Sequence, residues 1–220
     1  MQTRRLIAEF FGTFALILVG VMVISVGDSG IVGIALAHGL TIAVMASATM
    51  AISGGHLNPA VTVGAYVAKK IEAPLAGFYI VSQILGAVAA SILAKLMLPA
   101  TMGDPNVLGL PALTKYVTVG QGILIEAVGT FFLMFVVLGT AYSSKAAKVG
   151  GLFIGLTVTL DILWSGPLTG AALNPARWFG PALLSANLSN AVVWTIGPII
   201  GAILAGLLWP VVWAPKGEED

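Results

Sequence analysis

Cysteine is absent from the 220-residue chain. That excludes disulfides and cysteine-ligated metal sites, and leaves the compartment open. Charge is scarce too. Only 9% of residues are Asp, Glu, Lys or Arg, against the roughly 25% with which a soluble domain covers its surface. A chain so short of charge has to turn its surface to lipid, which leaves no room for a soluble enzyme domain. The net charge is +1 and no basic stripe exists, so no nucleic-acid partner is expected. Histidine occurs only as His38 and His56, and neither a metal nor a cofactor is expected. Gly27-Asp28-Ser29-Gly30 fits the Gly-x-Ser-Gly pattern of a nucleophilic serine. An intramembrane protease would also need a base; the nearest histidine is His38, within the second stretch, and no span after that one contains a histidine. Gly, Asp and Ser are ordinary turn residues, so the expectation is that the chain is not an enzyme.

What the chain has in quantity is apolar surface: 58% hydrophobic residues and a mean hydropathy of +1.02. A helical span takes about 20 apolar residues, and six stretches qualify, near 6–26, 31–52, 74–97, 119–141, 149–166 and 191–213. The first follows Arg4-Arg5 as a signal peptide would, yet Glu9 interrupts it and no small-residue cleavage site follows, so it reads as a retained helix. Six spans put both termini on one side. Arg4, Arg5, Lys69, Lys70, Lys145, Lys148 and Lys216 then share that side, against Lys95 and Lys115 on the other. The excess of Lys and Arg predicts cytoplasmic termini in a multi-pass protein of the cell (plasma or inner) membrane. The tail Glu218-Glu219-Asp220 reads as a solvated acidic end.

The two halves of the sequence match. Glu9-x-x-Gly12-Thr13-Phe14 recurs as Glu126-x-x-Gly129-Thr130-Phe131, and Gly39-Leu40-Thr41 as Gly155-Leu156-Thr157. Ser53-Gly54-Gly55-His56-Leu57-Asn58-Pro59-Ala60 recurs as Thr169-Gly170-Ala171-Ala172-Leu173-Asn174-Pro175-Ala176, and Gly86-Ala87 as Gly201-Ala202. The offsets stay between 115 and 117 residues. Each half holds three spans. An odd number makes the halves enter the membrane from opposite sides, the inverted-repeat arrangement with a central site near the midplane. The chain thus reads as one transmembrane domain: repeat one about 1–97, a Pro- and Gly-containing linker about 98–118 on the outer surface, and repeat two about 119–213.

Each Asn-Pro-Ala follows a glycine-containing turn and precedes an apolar stretch too short to span, about 60–68 and 176–184. Asn is a favoured N-cap, and Pro is favoured at the first helical position because its missing N–H costs nothing there. Asn58-Pro59-Ala60 and Asn174-Pro175-Ala176 therefore read as the starts of two half-helices whose N-termini meet at the midplane. Broken backbone at that depth requires protein or a water-filled cavity around it. Two positive dipole ends at one point, with the Asn amides beside them, favour a neutral molecule bearing an acceptor oxygen and disfavour a cation. The fold class expected is an all-α membrane protein with six transmembrane helices, two re-entrant half-helices and an inverted three-helix repeat.

These motifs, the repeat and the six spans together resemble the aquaporin and aquaglyceroporin family, the major intrinsic proteins. The resemblance implies a passive channel, a homotetramer with one pore per subunit, water and small neutral solutes as the permeants, and a lipid bilayer around it. It implies that Glu9 and Glu126 brace the loop backbones. It implies a selectivity filter outside the Asn-Pro-Ala region at His38, Ile162, Ala171 and Arg177. A strict water channel of the family usually has Phe and His at the first two positions; a glycerol facilitator usually has Trp and Gly with an aromatic in the loop. His38 with Ile162 matches neither and is similar to the tonoplast-type and ammonia-permeable branch. A slightly wider, less strictly tuned constriction suits water, ammonia and hydrogen peroxide, with a glycerol or urea facilitator as the alternative. Arg177 supplies a fixed positive charge against cations. His38 can donate and accept, and its charge can change near neutral pH.

Two residues stay open at this level. Asp161 is a carboxylate in an apolar span and needs a partner; it either tunes His38 indirectly or serves as a buried brace, and a one-residue slip of register would put it in the filter instead of Ile162. His56 falls at the inner mouth in the family pattern, where a pH gate is one reading. A coupled secondary transporter is the remaining rival, since inverted repeats and broken helices occur there too.

Overall fold

The computed structural model describes residues 2–99, 108–143 and 149–213. Lys145, Lys148, Lys216, the acidic tail, and Gly103 and Pro105 of the linker lie outside the described residues. In chain order the helices are α1 (Gln2–Val26), α2 (Gly30–Ser53), α3 (Pro59–Val67), α4 (Ala73–Met97), α5 (Val119–Val137), α6 (Gly150–Thr169), α7 (Pro175–Leu184), α8 (Ala191–Leu207) and α9 (Trp209–Val212). A π-helical turn, Leu138–Tyr142, prolongs α5. Among the described residues six helices are long and apolar enough to cross a membrane, namely α1, α2, α4, α5 with its π turn, α6, and α8 with α9. α3 and α7 are the two expected half-helices, each beginning within a residue of its predicted start.

Local chemistry sets the ends. Gly54 closes α2 and Gly170 closes α6, both in the left-handed region, with N–H groups donating to Met50 and Gly166 carbonyls at 3.0 and 2.9 Å. Glycine adopts that conformation without a Cβ penalty. Thr118 and Gln121 form a reciprocal capping box at the start of α5, which satisfies donors that the helix itself leaves open.

Packing obeys the repeat. α1 packs on α4 as α5 packs on α8, α1 on α2 as α5 on α6, and α4 on α7 as α8 on α3. The remaining large contact, α2 with α6, joins the two halves. It crosses at Gly39 and Gly155, which are repeat mates. A Cβ on Gly39 would lie 2.6 Å from the Gly155 carbonyl oxygen, and one on Gly155 would collide with the Gly39 carbonyl. In lipid, helices associate through such close backbone approach because the tails around them are as apolar as the side chains. The polarity is inside out: Val44 and Leu160 are 65% and 63% exposed, while Glu9, Gln83 and Glu126 are wholly buried. Between α3 and α4, the Lys70 ammonium sits 3.6 Å over the Trp209 ring. Partial burial there pulls its pKa below the ordinary lysine value.

Replacing Gly155 with Val should force α2 and α6 apart and cost at least about 1–3 kcal/mol, the usual penalty of overpacking. Thermal unfolding of the detergent-purified protein should register it as a lowered midpoint, with Gly120→Val, at a position open to its surroundings, as the unaffected control.

Candidate channel site

The loop before each half-helix is held by one buried carboxylate. Glu9 accepts from the Ser53 hydroxyl at 2.6 Å and the His56 N–H at 3.0 Å on one oxygen. Its other oxygen accepts from the Leu57 N–H and the Gln83 amide, both at 2.7 Å. Glu126 repeats this with the Thr169 hydroxyl at 2.7 Å, the Ala172 N–H at 3.0 Å and the Leu173 N–H at 2.7 Å. The Tyr79 hydroxyl donates to the Ser53 carbonyl at 2.8 Å, and its repeat mate Trp194 donates to the Thr169 carbonyl at 2.9 Å. Leu57 and Leu173, each just before an Asn, have positive φ of 52° and 54°. A non-glycine residue there costs roughly 1–2 kcal/mol, and the N–H bonds to Glu9 and Glu126 hold the two leucines in place.

The N-termini of α3 and α7 meet. Asn58 Oδ1 accepts from the Ala60 N–H at 2.8 Å, and Asn174 Oδ1 from the Ala176 N–H at 2.9 Å, so both act as N-caps on Pro59 and Pro175 at the first helical position. Each Asn amide also reaches across: Asn58 Nδ2 donates to the Leu173 carbonyl at 2.8 Å and Asn174 Nδ2 to the Leu57 carbonyl at 2.9 Å. The sequence placed the Asn amides beside the two helix N-termini. The structure shows more: each amide straps its loop to the opposite one, and both Asn residues line the lumen.

A narrow lumen runs past these motifs. His38, Ile162, Ala171 and Arg177 all line it, with Val61, Val158 and Ile154 supplying apolar wall. Arg177 Nη1 donates to the Gly109 carbonyl at 3.0 Å, and its backbone is held in the first turn of α7 by Asn174. His38 Nδ1 lies 2.8 Å from the Ile34 carbonyl. A carbonyl only accepts, so Nδ1 carries the proton, and Nε2 of the neutral ring is left as an acceptor. Asp161 does not line the lumen. It lies against Gly129 of α5, its Oδ1 accepting from the Trp164 indole at 3.1 Å, and among the described residues its Oδ2 has no partner. His56 lies at the other end of the lumen, 2.6 Å from the Tyr142 hydroxyl through Nε2 and 3.1 Å from the Thr62 hydroxyl through Nδ1. No cluster of metal-ligating side chains occurs among the described residues.

Three features escaped the sequence. Gly20 of α1 makes room for His38, since a Cβ there would strike Nε2. The linker, expected on the outer surface, sends Leu108 inward to complete burial, and its Gly109 carbonyl orients Arg177. Tyr142 approaches His56 from a helix far away in sequence. None of the three sits in a motif; each is a contact between remote segments.

A bundle of six membrane-length helices around a lumen, crossed by two half-helices that meet head to head, is the scaffold of a membrane channel. The major intrinsic protein family model matches residues 1–209, and the chain belongs to that family; it is an integral, multi-pass, passive channel and not an enzyme. It is 38% identical to aquaporin TIP4-4 of Zea mays over 99% of this chain and 89% of that one. It is 39% identical to aquaporin-4 of Mus musculus, over 96% and 68% of the two chains. It is also 38% identical to glycerol uptake facilitator protein-like 6 of Lactiplantibacillus plantarum, over 99% and 100%. The aquaglyceroporin from Plasmodium falciparum superposes with a TM-score of 0.84 at 21% identity, covering 96% of this chain and 97% of that one, which shows a shared fold.

Removing one brace should expose its load. Glu126→Ala leaves the Ala172 and Leu173 N–H groups buried without acceptors, at roughly 1–3 kcal/mol each. A sharply lowered unfolding midpoint is expected, with Glu126→Gln, which keeps one acceptor oxygen, falling in between.

Proposed function

We propose that the chain conducts water and other small neutral solutes, ammonia and hydrogen peroxide among them, and excludes ions and protons. The observation that carries this reading is the lining at the Arg177 end of the lumen: one fixed cation, one imidazole with an accepting Nε2, and two apolar side chains, Ile162 and Ala171. A water or ammonia molecule can accept from the guanidinium and donate to Nε2 while touching only hydrocarbon elsewhere. Its lost hydration is thereby partly replaced, which a bare apolar throat would not do. A cation entering the same space meets Arg177 and then the positive ends of α3 and α7.

Proton transfer along the water file is opposed at the Asn-Pro-Ala pair. There Asn58 and Asn174 offer donors to a passing oxygen, which must then turn its hydrogens outward in both directions. The roles of Pro59, Ala60, Pro175 and Ala176 in this scheme are to start the half-helices and keep the lumen-facing turn small. Glu9 and Glu126 act as braces in it, not as a proton relay. The Lys and Arg pattern supports cytoplasmic termini. The exposed apolar helices fit a bilayer and, on their family resemblance, a homotetramer. The organisation that goes with this reading is one channel domain: repeat one about 1–97, the linker about 98–118 and repeat two about 119–213.

A glycerol facilitator is the second reading, and the named relative from Lactiplantibacillus plantarum favours it. Against it, the residues at the Arg177 end, His38, Ile162, Ala171 and Arg177, lack the Trp, the Gly and the loop aromatic usual in a glycerol facilitator of the family. Stopped-flow permeability of purified protein in proteoliposomes separates the two. Water and ammonia fluxes well above empty vesicles are expected, with glycerol far slower; glycerol flux comparable to water would overturn the ranking. Arg177→Ala should admit a cation leak, measured as ion-dependent membrane potential decay, and an unchanged conductance would remove Arg177 from the filter.

A further inference from the structure

We infer that Gly20 of α1 is a specificity-determining position of the pore, acting through His38: its missing side chain lets the imidazole lie back against α1, and this sets the width of the constriction that His38 lines. The inference rests on the channel reading above, because it takes His38 as part of the permeation path.

The lumen is narrow, about 30 Å³, the scale of a single water. α1 reaches it through Leu16. Gly20 lies four residues further, on the same face of the helix, and is buried. The wall at this level is the His38 imidazole. A Cβ on Gly20 would strike its Nε2 and lie 3.1 Å from both Cδ2 and Cε1, so the three nearest atoms all belong to that ring. One edge of the imidazole therefore rests on the bare α-carbon of Gly20. Nδ1, on the other side of the ring, is held by the Ile34 carbonyl at 2.8 Å.

The repeat supplies an internal comparison. The mates of Leu16 and Gly20 on α5 are Leu133 and Val137, and the mate of His38 on α6 is Ile154. Leu133, Val137 and Ile154 all line the lumen. In the second half, then, a valine on the first span of the repeat and an isoleucine on the second share the wall. In the first half the second-span residue is an imidazole, and the first-span residue has no side chain at all.

A methyl group at residue 20 has to move something. Ile17 and Val21, beside it on α1, are 1% and 3% exposed. The linker comes so close that a Cβ on Gly109 would lie 3.2 Å from the Val21 α-carbon. The helix therefore has little room to yield. The imidazole turns about two side-chain bonds, and its open side is the lumen. A small displacement counts in a bore of that size, and it also moves Nε2, the acceptor for a passing solute.

The test is a double-variant cycle on water and hydrogen peroxide permeability in proteoliposomes. Wild type, Gly20→Ala, His38→Ala and the pair are compared, each normalised to folded protein by gel filtration and unfolding midpoint. Gly20→Ala should lower water flux about threefold and flux of hydrogen peroxide, the larger solute, about tenfold. In the His38→Ala background the same change should alter either flux by less than about 1.5-fold, because the cycle isolates the part of the effect that passes through the partner. A loss of packing alone would lower both solutes alike and would persist without the imidazole. Gly20→Val combined with His38→Ala keeps the test decisive if Gly20→Ala does not fold. The valine should enter the vacated space and bring hydrogen peroxide flux at least about threefold below that of His38→Ala. A folded Gly20→Ala with wild-type fluxes, an effect of equal size with and without His38, or a Gly20→Val that leaves the His38→Ala flux unchanged overturns the inference. Wild-type water flux no greater than that of empty vesicles would instead defeat the channel reading itself.

Discussion

The interaction on which the pore depends is the grip of Glu9 and Glu126 on the loops that precede α3 and α7. Each half-helix must begin in the middle of a membrane, where free backbone N–H groups find no water. Each carboxylate takes two loop N–H groups and a hydroxyl, at 2.6 to 3.0 Å. That fixes Leu57 and Leu173 in the left-handed conformation, which in turn sets the direction in which Asn58 and Asn174 leave the loop. The Asn side chains then complete the frame by crossing to the opposite loop. Loss of a carboxylate would therefore release a chain of dependent contacts, and the cost would exceed that of any one hydrogen bond.

The frame is symmetric, but the chemistry hung on it is not. Where the first half has His56, Thr62 and Gln83, the second has Ala172, Trp178 and Pro198. The loop before α3 thus carries a connected polar network, with Gln83 bridging Glu9 and Thr62 at 2.7 and 3.0 Å. The loop before α7 is backed by aromatic surface, with Trp178 stacked on Trp194 at 6.3 Å. Duplication supplies the scaffold and the meeting point of the half-helices. Divergence of the two loops then gives each mouth its own character: an arginine held by a linker carbonyl at one, an imidazole held by a phenol at the other.

Most of this frame was legible in the sequence because it is written in local signals. Length and hydropathy located the spans, and the Asn-Pro pair fixed the half-helix starts, since capping and the absent proline N–H act within a few residues. The repeat paired Glu9 with Glu126, and their bracing of the loops came from the family resemblance. Gly20, the Gly109 carbonyl and Tyr142 were not, because their meaning depends on what another segment brings against them. A glycine whose purpose is to leave space for His38 looks, in sequence, like any glycine in a membrane helix. The π turn that presents Tyr142 is likewise invisible in a uniformly apolar run.

Asp161 and Ile162 show how much one residue of register decides in such a helix. Adjacent positions on an α-helix point about 100° apart, so only one of the pair can line the lumen. The neighbouring lumen-lining residues of α6 are Ile154 and Val158, and the spacing of four carries the same face to Ile162. Asp161 is thereby turned towards α5, where Gly129 leaves space beside its carboxyl group and Trp164, one turn along, supplies a donor. A carboxylate placed instead at the lumen would bring a negative charge into the space that the Arg177 guanidinium lines. The apolar residue at 162 and the acidic one at 161 are therefore two sides of one register: the carboxylate of α6 faces the protein, and Arg177 is the charged side chain among the described residues that line the lumen.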